Sequence, residues 1–347
     1  MARTACALTL VAVGTVVSVG PPAAATDENV SMPTGTGRAA AAAADLTAGP
    51  IPGSDSDHKF AIAVMPDTQR ELTRPEDRRL INRSNWLVRK KKGLDLRFVL
   101  HSGDVVNWDT PDHYMYANAV TGLRPVQANI PMALALGNHD TAAVCPGGSA
   151  CPGADTSVTV RDTRTFNTYF DESRFGALAG QFEPGKVDNA YHTFRSGGRN
   201  WLVLNLELWP RTEVVSWARK VVAKNPRRNV IIVTHSYLNG DGTISRSNGG
   251  YGATSPRYLF DRLIKVYPNV KLVLSGHVGR ARVRTDKGAN GNKVVSMLQA
   301  MHDTSNPVRL IWIDTAAGTF RTRIYDPDRH RTLTEYSKKI SKIKFVR

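Results

Sequence analysis

Leu134-Ala135-Leu136-Gly137-Asn138-His139-Asp140 ends an apolar run that begins at Ile130. The run has the length and composition of a buried strand, and it stops at a glycine that permits a sharp turn. Beyond the turn come an amide oxygen, an imidazole and a carboxylate. These are respectively a hard metal ligand, a proton donor and a group able to orient that imidazole. Four such residues also suit an ordinary polar loop, so their weight depends on what recurs elsewhere in the chain.

Working outward, strand and helix signals alternate. Apolar runs at 60–65, 96–101, 200–206, 230–234 and 270–274 read as strands. Helical patterns are expected at 75–92, which has Pro75 near its start and Gly93 at its end, and at 112–123, 213–224 and 255–266. After Gly288 the chain turns strand-rich, at 293–300, 308–313, 319–325 and an alternating tail around Lys342-Ile343-Lys344-Phe345. No internal repeat is evident. The alternation predicts a layered α/β domain.

Polar clusters recur where these strands end, the place at which open α/β sheets put ligand sites. Pro66-Asp67-Thr68-Gln69 follows the first strand and Ser102-Gly103-Asp104-Val105-Val106-Asn107 the second. Thr234-His235 and Ser275-Gly276-His277-Val278-Gly279 close two later ones. Asp67, Gln69, Asp104, Asn138, His235 and His277 together form a mixed oxygen and imidazole donor set. Such a set suits divalent transition metals rather than calcium, and a shared carboxylate, naturally Asp104, holds two ions about 3.5–4 Å apart in two-metal hydrolases. His139 is then left as an acid rather than a ligand.

In order and spacing, these motifs over residues 58–285 resemble the calcineurin-like metallophosphoesterase family, especially secreted bacterial members with Asp-x-Gln in the first motif. The resemblance implies a four-layer αββα sandwich, two mixed sheets flanked by helices. It also implies two divalent ions, of manganese, iron or zinc. The first would be held by Asp67, Gln69 and Asp104, the second by Asp104, Asn138, His235 and His277. His139 would protonate the leaving oxygen, Asp140 would orient His139, and a metal-bound hydroxide would attack phosphorus. The chain departs from the family pattern twice. Gln69 replaces a histidine, and Gly279 stands where the last histidine would complete the first site. Weaker occupancy of that site is expected, with His302 in Met301-His302-Asp303 as a distant candidate to compensate.

The ends of the chain read as address and attachment. Arg3, an apolar run from Ala5 to Gly20, and Ala23-Ala24-Ala25 fit a secretory signal peptide over 1–25, with a retained anchor as the alternative. Residues 26–57, rich in Ala, Gly and Pro, read as a disordered leader, and 58–347 as the metallophosphoesterase domain. A secreted, extracellular location makes a Cys145–Cys151 disulfide the expected state, against free thiols or a zinc pair. It would staple the loop after His139 and Asp140. The formal charge of +16 suits an anionic partner, whether a phosphate-ester substrate, an anionic polymer or cell-surface material. Arg280, Arg282 and Arg284, just after the fifth motif, are candidates to face the cleft. Nucleic acid is compatible with the charge but has no motif behind it. A secreted phosphoesterase acting on monoesters or diesters is therefore expected; the alternatives are a catalytically weakened binding protein on the same scaffold and an extracellular nuclease.

Overall fold

The computed structural model describes residues 58–109, 114–302, 305 and 307–347. The signal peptide and leader expected over 1–57, and the first residues of the helix expected from 112, lie outside the described residues. In chain order the strands are β1 (Lys59–Met65), β2 (Leu96–His101), β3 (Met132–Leu134), β4 (Val144–Cys145), β5 (Ser149–Ala150), β6 (Leu178–Gln181), β7 (Ala190–Ser196) and β8 (Arg199–Leu206). They continue with β9 (Arg228–Thr234), β10 (Val270–Ser275), β11 (Ala281–Lys287), β12 (Lys293–Gln299), β13 (Val308–Asp314), β14 (Thr319–Asp326) and β15 (Arg331–Ile340).

One sheet has the order β15-β14-β13-β1-β2-β3 and the other β11-β12-β10-β9-β8-β7-β6. β1, β2 and β3 are parallel, as are β8, β9, β10 and β12, and antiparallel strands flank each parallel core. A parallel strand with both faces covered needs continuous apolar sequence, and β1 and β9 have it. Phe60, Ile62 and Val64 of β1 meet Ile231 and Val233 of β9 in a core between the sheets. The alternate residues Ala61, Ala63 and Met65 pack outward with Leu80 and Leu87 of the helix Arg79–Leu94. Val230 and Ile232 do the same with Val214, Ala218 and Val222 of the helix Thr212–Lys224. The result is the expected helix–sheet–sheet–helix sandwich.

Several boundaries moved for local reasons. The first helix begins at Arg79 rather than Pro75, after Arg78 in the cap position, and the Asp77 carboxylate just before it accepts from the Arg79 amide at 3.0 Å. It runs past Gly93 and ends where Asp95 takes φ 50°. The helix expected at 255–266 is one α turn, Pro256–Leu259, continuing as a π stretch, Phe260–Ile264. The tail expected as strand at 342–345 is irregular, although Ile343 is buried and Phe345 packs on the intersheet core. β4–β7, β11 and β15 were not anticipated; β11 precedes Gly288 and carries Arg282 and Arg284, with Arg280 just before it.

Ile231 is fully buried in the core between the sheets. Ile231→Ala should cost about 2–5 kcal/mol, read as a lower urea midpoint at unchanged denaturant slope.

Candidate metal centre

The carboxyl ends of β1, β2, β3, β9 and β10 converge at one edge of the sandwich, and each delivers one polar cluster. Asp67 follows β1. Its Oδ2 accepts from the His277 amide at 3.0 Å and its Oδ1 from the Ser102 hydroxyl at 3.2 Å, so loops from both sheets hold it. Asp104 follows β2, with Oδ2 3.0 Å from His235 Nε2 and Oδ1 accepting from the His139 amide at 3.1 Å. His277 Nδ1 lies 3.2 Å from His235 Nε2. Donor atoms of Asp104, His235 and His277 all fall within 4.8 Å of one another, as ligands to a common ion must.

Backbone geometry is spent on this convergence. Asp104 and His277 take φ 51° and 73°, a region costly for residues with a side chain and tolerated where surrounding structure enforces it. Gly137, read from sequence as a sharp turn, does not have positive φ among the described backbone angles. It is glycine because a Cβ there would sit 2.0 Å from Asp104 Oδ1. The strand-end glycine is thus a close-approach residue.

Fixed hydrogen bonds aim the imidazoles. His235 Nδ1 faces the Ser102 carbonyl at 2.8 Å, which places the proton on Nδ1 and leaves Nε2 to bind. The His277 ring packs edge-on against Trp209. His139 Nδ1 faces the Asn107 carbonyl at 2.6 Å, and its Nε2 is 3.3 Å from Gln69 Nε2. Gln69 itself sits on a short 3-10 turn, Gln69–Glu71, anchored by the buried Arg83–Glu71 ion pair at 2.7 Å. His101, buried beneath, hydrogen-bonds Thr68 and the Gly103 amide.

The role expected for Asp140 is corrected. Its carboxylate accepts from the Val106 amide at 3.1 Å and the Gly137 amide at 2.9 Å, and Asn107 rather than Asp140 orients His139. A backbone carbonyl leaves no side-chain signature, which is why the sequence pointed to the neighbouring acid instead. Asp140 is a loop-shaping residue that ties the second and third motifs together.

Electrostatics show what the cluster lacks. Burial raises the Asp67 carboxyl to about 7, against the pull of His235 and with a push from Asp104. Burial likewise raises Asp140 to about 7, helped by Asp104. For Asp104 burial works in the same sense but is outweighed by His235 and His139, which hold it well below the usual carboxylate range. Burial would discharge His235, yet Asp104 and Asp67 raise it to about 9, while burial and His235 bring His277 down to about 4. Two amide oxygens, Gln69 Oε1 and Asn138 Oδ1, are buried with no hydrogen-bond partner. Buried carboxylates and orphaned oxygen acceptors around paired imidazoles are what a divalent cation would satisfy, and the residues fit that group.

The centre opens into a cleft of about 640 Å³. Gln69, His139, His302, Arg70, Arg74, Gly147 and Gly148 are among the residues that line it. Those glycines belong to the loop closed by the Cys145–Cys151 disulfide, which therefore shapes the rim as expected. The arginines expected at the cleft are elsewhere engaged. Arg284 pairs with Asp286, Arg282 donates to the Ala281 carbonyl, and Arg280 donates to the Tyr336 hydroxyl. Arg70 and Arg74, missed in the sequence, follow Gln69 one and five residues on, and Arg74, exposed, lies 3.9 Å from Glu76.

A family model described as calcineurin-like phosphoesterase matches residues 60–280. The chain belongs to that family. It therefore falls among the metal-dependent phosphoric ester hydrolases, and β11–β15, of which β13–β15 complete the first sheet, lie beyond the matched region. A curated relative, the uncharacterized protein YvnB of Bacillus subtilis (strain 168), is 28% identical over 208 residues, 59% of this chain and 14% of that protein. The chain thus spans about a seventh of the length of that relative. A dimetal phosphatase from Danio rerio has the same fold at 9% identity, with TM-score 0.50, 81% of this chain and 98% of that one covered. The NAD nucleotidase of Haemophilus influenzae aligns at 11% identity and TM-score 0.43, covering 73% of this chain and 47% of that one. Among the described residues no helix is long and apolar enough to cross a membrane.

Two measurements check this geometry. Asp140→Asn keeps one acceptor and loses the other, so it should destabilise the fold by about 1–3 kcal/mol without displacing the pH profile of turnover. A displaced acid limb would instead restore Asp140 to the role of orienting His139. Protons compete with metal at Asp67 and His235, so calorimetric affinity for manganese should rise as pH increases from about 6 to 9, with net proton release. A pH-independent affinity would mean that other residues bind the ion.

Proposed function

We propose that this chain is a secreted phosphoesterase that hydrolyses phosphomonoesters or phosphodiesters. The observation that carries the reading is the cluster of Asp104, His235 and His277 within 4.8 Å, beside two buried, unpartnered amide oxygens. A scaffold used only for binding has no physical need to bury that set. Secretion draws its support from the charge, apolar run and Ala-x-Ala pattern of residues 1–25, and from the disulfide that closes the cleft rim.

Asp67, Gln69 and Asp104 would hold one divalent ion, and Asp104, Asn138, His235 and His277 the other. When bound there, divalent ions supply Lewis acidity that polarises phosphoryl oxygens and acidifies water. The chain's own groups do the rest. The Asn107 carbonyl accepts from Nδ1 and fixes the direction of His139, so that the ring, when it carries a proton on both nitrogens, can give the one on Nε2 to the leaving oxygen. Arg70 and Arg74 present positive charge along the cleft by which an anionic ester would enter. The narrow rim of Gly147 and Gly148 lets substrate approach with little side-chain obstruction.

The test is hydrolysis of an aryl phosphomonoester and an aryl phosphodiester by the purified protein with added manganese, zinc or iron. His139→Ala should lose about 10²–10⁴-fold in turnover with its metal content intact. Asn138→Ala and His235→Ala should lose metal and activity together. Equal metal loss in all three variants would contradict a separate acid role for His139. Bound metal with no turnover of either ester would favour the binding-protein reading.

A further inference from the structure

The departure at Gly279 has a steric cause. Gly279 takes φ +67°, and a Cβ on it would lie 2.9 Å from the Gly240 Cα. Gly240 belongs to a tight reverse turn, in which the Asn239 amide donates to the Thr243 carbonyl and the Gly242 amide to the Asn239 carbonyl, both at 2.8 Å. That turn occupies the space through which a side chain at 279 would have to leave the backbone. A histidine at this position would require the Gly240 turn to shift, and as the chain stands the first ion would be one imidazole short.

A different imidazole reaches the vacated edge. The chain leaves β12 at Gln299, the Ala300 amide donates to the Arg280 carbonyl at 3.1 Å, and Met301, buried, takes φ 55°. This brings His302 to the lining of the cleft, with Nδ1 3.7 Å from Asp67 Oδ2. That nitrogen is buried and has no hydrogen-bond partner. At 3.7 Å it is too far from Asp67 for a hydrogen bond. It is within the span of two donors sharing one ion, since ligands at about 2.1 Å each stand at most about 4.2 Å apart. Gln69, whose own oxygen is likewise buried and unpaired, lines the same cleft.

We propose that His302 is the missing ligand of the first ion: an imidazole supplied from beyond β12 replaces the one that Gly279 cannot carry. The inference rests on the metal-dependent reading above and adds a residue to it. The first site then holds Asp67, Gln69, Asp104 and His302, a set of three oxygens and one nitrogen. Manganese, which accepts oxygen-rich surroundings, would be better suited to it than zinc.

The experiment is metal uptake by the full chain, by equilibrium dialysis and elemental analysis with manganese as the probe, alongside EPR of the loaded protein. The native chain should take up two equivalents and show a spin-coupled pair. His302→Ala should keep one tight equivalent, bind the second about tenfold or more weakly, and lose the coupled signal. His302→Cys, loaded with cobalt, should gain a thiolate-to-metal charge-transfer band, a readout that serves if the alanine variant folds poorly. Two equivalents of native affinity in His302→Ala, or no such band in His302→Cys, would overturn the assignment. One equivalent in the native chain, unaltered in His302→Ala, would overturn it while leaving the second ion in place. No uptake by the native chain would instead bring down the metal-dependent reading itself.

Discussion

Three carboxylates, Asp67, Asp104 and Asp140, are buried at the junction of the two sheets, and the rest of the site follows from that burial. Removing several negative charges from water at one place is costly unless something positive or strongly hydrogen-bonding stands in for solvent. Asp140 solves the problem with two backbone amides and so becomes structural. Asp104 solves it with His235 and the His139 amide. Asp67 has the His277 amide and the Ser102 hydroxyl, which leave its proton affinity raised. Asp67 is thus incompletely compensated, and the Gln69 oxygen and His302 nitrogen are buried without hydrogen-bond partners, groups that a cation would satisfy.

Each sheet contributes half of this arrangement, so the site requires the sandwich. Asp67 and Asp104 come from parallel strands of one sheet, His235 and His277 from parallel strands of the other. The hydrogen bonds that cross between them, from the His277 amide to Asp67 and between Ser102 and His235, fix the relative position of the two sheets at their carboxyl ends. Asp104 and His277, just beyond the ends of those strands, take positive φ, which persists where surrounding structure enforces it.

Much of this was legible because parallel, doubly covered strands must be apolar throughout and the site residues sit where those runs stop. β1, β2, β8, β9 and β10 were all visible, and with them Asp67, Gln69, Asp104, Asn138, His235 and His277. β4–β7, β11 and β15 were not. β11, at an edge of the second sheet, carries alternating polar residues such as Arg282 and Arg284, which read as a basic loop. The true partner of His139 is a backbone carbonyl, invisible to side-chain reasoning, and Asp140 took its place by adjacency. Gly279 was readable as a lost ligand, but the collision with Gly240, 39 residues earlier in the chain, exists only in three dimensions. The same holds for His302, 235 residues from the Asp67 it faces.

The most direct test of the account is a manganese-soaked crystal of the native chain, examined by anomalous scattering. Two peaks flanking Asp104, about 3.5–4 Å apart, with His235 and His277 on one and Asp67 on the other, are the predicted result. No anomalous density at Asp104, under conditions where the protein hydrolyses a phosphate ester, would contradict the claim that these buried carboxylates exist to hold a metal.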